Sequence, residues 1–125
     1  MKIRIKGNFV RYRLTKTEVE TLAQEGRMIE RTIFGPDVSQ QFEYALELKK
    51  GIDALQAVFE GRRITLYLPE AEALPWAEGD RVGFENEMQT GPDSRLKLLL
   101  EKDFVCLDDT DEDQSDNYPN PRSVC

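Results

Sequence analysis

Apolar and charged residues alternate from the first positions of the chain: Ile3 and Ile5 stand between Lys2, Arg4 and Lys6, and after Gly7-Asn8 the alternation resumes at Val10, Tyr12 and Leu14. A period of two on both sides of a Gly-Asn turn predicts a half-buried β-hairpin. The period then changes to that of a helix. Thr15 with Glu18 three residues later forms a capping box, Leu14 and Val19 occupy the positions of a hydrophobic staple, and Gly26 supplies the stop. Strand-like runs follow at Met28 to Phe34, Phe42 to Leu48, Leu55 to Glu60, Arg63 to Leu68, Arg81 to Met88 and Arg95 to Asp103. A second helix is expected after Leu68, limited to one or two turns because Pro75 removes a donor and crowds the preceding turn, with Leu74 and Trp76 directed inward.

The pattern occurs twice. Gly7, Leu14, Glu18 and Ala23 match Gly61, Leu68, Glu72 and Ala77 without a gap, and after a small insertion Gly35-Pro36-Asp37 meets Gly91-Pro92-Asp93. Each half reads as hairpin, short helix, strand, Gly-Pro-Asp turn, strand. The expected fold is therefore α+β: two ββαββ-like repeats, at about 1–50 and 51–107, forming a largely antiparallel sheet or partly closed barrel with two short helices. Residues 1–107 are read as one domain. Beyond Leu107 acids dominate and little apolar surface remains to offset ordering, so 108–125 is expected to be a disordered acidic tail unless it docks on its own domain.

A chain of 125 residues is long enough to bury a core without staples, and 39% hydrophobic with 33% charged residues is the balance of a solvated globular protein. The charged start does not resemble a signal peptide, and no apolar run approaches ~18 residues, so a cytoplasmic protein with no membrane partner is expected. Two cysteines, Cys106 and Cys125, do not make a disulfide framework; Cys106 reads as a half-buried structural thiol and Cys125 as a terminal one. Charge is unevenly spread. The net −7 is mostly the tail, where Asp108, Asp109, Asp111, Glu112, Asp113 and Asp116 face only Arg122, whereas six basic residues precede the first acid, Glu18.

The opening Met-Lys-Ile-Arg-Ile-Lys-Gly-Asn, the run Arg13-Leu14-Thr15-Lys16-Thr17-Glu18-Val19, the stretch Glu101-Lys102-Asp103-Phe104 leading to Cys106-Leu107, and the closing Tyr118-Pro119-Asn120-Pro121 together resemble a bacterial family of small proteins of unknown function. The resemblance covers nearly the whole chain. It implies a bacterial source and carries no site residue over.

With no histidine in the chain, Ser-His, Cys-His and His-based zinc chemistry are excluded, and no Walker or dinucleotide-binding glycine pattern is present. No cofactor is expected. The most suggestive feature is the first hairpin, whose turn would set Arg4 opposite Arg11 and Lys2 opposite Arg13, with Lys6 beside Phe9. Like charges opposite one another destabilise a sheet, so something negative should lie over Lys2, Arg4, Lys6, Arg11 and Arg13. Glutamates of neighbouring strands such as Glu43, Glu47, Glu85 and Glu87, the tail, or an external anion could supply it. Nucleic acid is disfavoured by the net negative charge.

The favoured function is a non-enzymatic binding or adaptor protein whose basic hairpin face meets an unknown protein, a small anionic ligand or its own tail. One alternative is a metal-assisted phosphohydrolase acting on a polyphosphate or nucleotide in a barrel interior, with Glu43, Glu47, Glu85 or Glu87 as magnesium ligands. A basic lumen would resemble the tunnel enzymes that hydrolyse triphosphates. Their alternating glutamates, however, are replaced here by Lys2-Ile3-Arg4-Ile5-Lys6. A further alternative is a homodimer formed through edge strands such as Leu55 to Glu60. In the tail, Asp109, Asp111 and Asp113 take the first alternating positions of a calcium loop, but Gln114 stands where glycine is needed and Asn120 where the closing glutamate is needed, which makes the match weak.

Overall fold

A computed structural model describes residues 1–104. The acidic tail, the aspartates 109, 111 and 113, and both cysteines lie outside the described residues. Strands β1 (Lys2–Ile5) and β2 (Phe9–Leu14) form the basic hairpin, and helix α1 (Lys16–Glu25) leads into β3 (Arg27–Ile33) and β4 (Gln41–Lys49). The second half repeats this order as β5 (Gln56–Glu60), β6 (Arg63–Pro69), α2 (Glu70–Glu78), β7 (Gly83–Gly91) and β8 (Ser94–Lys102). Both Gly-Pro-Asp sequences lie in hairpin connections. The first also builds a 3-10 turn, Val38–Gln40, capped reciprocally by Asp37 and Gln40.

Among the described residues the strands do not make one sheet, and no barrel closes. They form two four-stranded mixed sheets, one ordered β1-β2-β8-β7 and the other β3-β4-β6-β5. Each sheet joins a hairpin from one half to a hairpin from the other through a parallel central pair, β2 with β8 and β4 with β6. Replacing every strand by its counterpart in the other half converts the first order into the second, so the exchange that relates the two halves of the chain also relates the two sheets. The correspondence extends to single residues 54 positions apart. Gly7 and Gly61 share the left-handed conformation, with φ of 54° and 59°. Leu14 and Leu68, Val19 and Ala73, and Leu22 and Trp76 are buried in pairs.

Period two explains which face of each strand is inside. Val10, Tyr12, Leu14, Leu98 and Leu100 from one sheet meet Leu46, Leu66 and Leu68 from the other, with Val19, Leu22, Ala73 and Trp76 of the helices completing a single core. Tyr12 is fully buried, and its hydroxyl donates to the Ile64 carbonyl at 3.2 Å, which satisfies the polar end of the ring inside the core. The interior that a barrel would leave for a ligand is therefore filled with side chains.

Helix α1 starts as its sequence predicts. Thr15 accepts from the Glu18 N–H while Glu18 accepts from the Thr15 N–H, and Gly26, at φ 79°, closes the helix with an N–H donated to the Leu22 carbonyl. Glu18 also holds the amino group of Met1, which lies 3.5 Å from Glu30 as well. Burial pushes the Glu18 pKa up, but hydrogen bonds from that amino group and from Thr15 outweigh it and hold the carboxyl below its ordinary value. Helix α2 is longer than expected, running through Pro75 to Glu78. Trp76 does turn inward, at 1% exposure, whereas Leu74 faces out at 59%. With Ala73 and Trp76 on the buried side, position 74 falls on the solvent side of the helix.

Candidate functional site

Because Val10, Tyr12 and Leu14 point into the core, Phe9, Arg11 and Arg13 point out. Strand register extends this alternation across the sheet. Lys2, Arg13, Glu101 and Gly83 form one row; Arg4, Arg11, Leu99 and Glu85 form the next; Phe9, Lys97 and Glu87 form a third. The pairing of Lys2 with Arg13 and Arg4 with Arg11 is the one predicted. Lys6 sits at the turn, its N–H bonded to the Phe9 carbonyl.

Among the described residues a neighbouring-strand glutamate does answer this face, but it is none of Glu43, Glu47, Glu85 and Glu87. Arg13 Nε donates to Glu101 at 2.8 Å, and Lys2 Nζ donates to Asp103 at 2.8 Å. Asp103 sits just beyond β8, tied down by its N–H to the Leu14 carbonyl, and its carboxyl is held low first by the Lys2 hydrogen bond. Glu43 and Glu47 belong to the other sheet, and Glu85 and Glu87 lie on β7, separated from the hairpin by β8. Glu87 pairs with Arg95 at 3.2 Å. Periodicity places Glu101 on the face of Lys97 and Leu99, but only the parallel β2–β8 pairing brings it beside Arg13, and periodicity does not name neighbours.

Arg11 is treated differently from Arg13. Among the described residues no carboxylate lies within ion-pair distance of it, and the same is true of Lys6 and Lys97. Burial first, then the neighbouring guanidiniums of Arg13 and Arg4, push the pKa of Arg11 down, with Glu101 and Asp103 opposing from farther off. The ring of Phe9 and the side chain of Leu99, both half-buried, lie among these cations, so the face is basic and partly apolar.

The outward face of the second sheet is balanced within itself. Arg31, Glu43, Arg63 and Glu60 form one row of alternating charge. Glu43 accepts from Arg31 Nε at 2.7 Å and from Arg63 Nε at 2.9 Å. A groove of about 530 Å³ runs over this face past Glu47 and Tyr67, with Thr65 in its floor. The Arg31 and then the Arg63 hydrogen bonds hold the Glu43 carboxyl below its ordinary value. A depressed folded-state pKa gives stability that is present above the unfolded pKa, about 4.3, and is lost as pH falls through the folded one. The difference in melting midpoint between the native chain and Glu43→Gln should therefore be present at pH 6 and close as the pH approaches 3. A difference independent of pH would show that the bridge does not depend on the charge of Glu43.

The metal-site expectation required Glu43, Glu47, Glu85 and Glu87 to converge on an interior. They stand on the outward faces of two different sheets, and both oxygens of Glu43 are engaged by arginines. Among the described residues no three potential metal-ligating acids or thiols cluster. The edge of β5 is partly covered by β7: Asn86 Nδ2 donates to the Leu55 carbonyl at 2.8 Å, and the Ala57 N–H meets the Met88 sulfur at 3.4 Å. Among the described residues no helix is long and apolar enough to cross a membrane. No curated protein and no solved structure matches the chain. A family model does match, over residues 1–122, and by that match the chain belongs to the family of unknown function DUF7009.

Proposed function

We propose that this is a binding protein that takes an acidic, partly apolar segment of a partner protein on the outward face of the β1-β2-β8-β7 sheet. The observation that carries this reading is Arg11, set opposite Arg4 and beside Arg13 and given no carboxylate partner among the described residues, while Lys2 and Arg13 in the adjoining row are each given one. Glu101 and Asp103 fix the outer cations, and Arg11, Lys6 and Lys97 keep charge available to a ligand. Phe9 and Leu99 favour a peptide over a bare inorganic anion, because apolar surface between the cations gains from burial against side chains. Charge-assisted hydrogen bonds from a guanidinium supply specificity for carboxylates.

The test is binding of acidic peptides of mixed Asp, Glu and aromatic content, measured by fluorescence anisotropy at low and high salt. Arg11→Glu should weaken binding by at least about tenfold, since like charge replaces opposite charge at the centre of the face. Raising the salt should weaken native binding as well. Peptide affinity unchanged by Arg11→Glu overturns the proposal.

A further inference from the structure

Resting on that reading, we infer that the acidic segment Asp108 to Asp116 of the same chain is the resident occupant of the basic face and competes there with partner peptides. The position of the last described residues supplies the first argument. Strand β8 lies directly beside β2 and ends next to Arg13, and Asp103 follows it against Lys2. The chain thus leaves the sheet at one end of the basic face, with its next six acids at positions 108, 109, 111, 112, 113 and 116.

Reach is sufficient. Five extended residues from Asp103 to Asp108 span up to about 17 Å, whereas the hairpin strand from Lys2 to Lys6 covers about 13 Å. The segment can lie across Arg11 without moving any strand. Charge is complementary, since six acids meet a face on which Arg11, Lys6 and Lys97 have no acid partner among the described residues. Tethering sets the effective concentration of such a segment at about the millimolar level, so even weak intrinsic affinity keeps it on the face.

The test keeps the full 125-residue chain. One version carries Asp108→Asn, Asp109→Asn, Asp111→Asn, Glu112→Gln, Asp113→Asn and Asp116→Asn. The probe is a labelled peptide with the native sequence of residues 105–120. It should bind the neutralised chain at least about tenfold more tightly than the native chain, and Arg11→Glu in the neutralised background should abolish that gain. Equal affinity for the two chains overturns the inference. An unrelated acidic peptide, run in parallel, separates the two readings. If it binds both chains equally and in an Arg11-dependent way, the partner-binding face stands and the resident tail falls; if neither chain binds either peptide, both fall.

Discussion

Trp76→Ala should lower the stability of the domain by about 3–5 kcal/mol, the loss expected when a large aromatic is removed from a packed core. Trp76 is 1% exposed and sits where α2 meets the sheets, edge-on to Phe84 with ring centroids 5.4 Å apart. Lys102 Nζ lies 6.0 Å from its ring, and Arg81 stacks over Phe84 at 4.0 Å, so the indole anchors a cluster joining α2, β7 and β8. Its Nε1 has no hydrogen-bond partner among the described residues, which means that the ring contributes through area and shape, not through a polar contact. Trp76→Phe, which removes the unpaired donor and keeps an aromatic, should cost much less. Thermal melting followed by circular dichroism separates the two: at roughly 4–8 °C per kcal/mol, alanine should lower the midpoint by more than about 12 °C. A drop under about 5 °C would mean that α2 is not anchored through this ring.

The same helix shows where sequence reasoning stopped short. The alignment of halves places Leu74 on Glu20, an exposed position of α1, and Trp76 on Leu22, a buried one. Read at the same 54-residue offset, the alignment of the two halves would have turned Leu74 outward. Hydrophobicity alone turned it inward, because a leucine is more often a core residue than not. Strand positions and the register of the first hairpin were readable because they depend on local alternation and one turn. The division into two sheets was not, since it depends on which hairpin each central strand meets, and β2 meets β8 from the far end of the chain. That long-range pairing also decides the site. Arg13 and Lys2 were visible as cations in need of acids, while Glu101 and Asp103 became their partners only through the parallel ladder. Glu43 was read as an acid that could answer the basic hairpin, but the arginines it holds are Arg31 and Arg63 of its own sheet.

Gly83→Ala should be at least as damaging as the upper part of the ~1–3 kcal/mol range for overpacking, although it adds a single methyl group. Gly83 opens β7 opposite Glu101, and a Cβ placed there would lie 2.1 Å from the Leu100 carbonyl oxygen and 2.7 Å from the Glu101 Cα. These are backbone atoms of the neighbouring strand, so no rotamer change relieves the overlap and the strands must separate. The separation would fall at the end of β8 that presents Glu101 to Arg13, so the damage should extend to the basic face. Gly91→Ala is the matching control: its nearest neighbour is the Ser94 hydroxyl at 2.9 Å, a side-chain atom able to rotate away. Melting of the two variants should show a much larger loss for position 83 than for position 91, and peptide affinity at the basic face should fall only for the former. Equal losses would mean that β7 can shift at its start as easily as at its turn, and that the position of Glu101 does not depend on the close approach of these two strands.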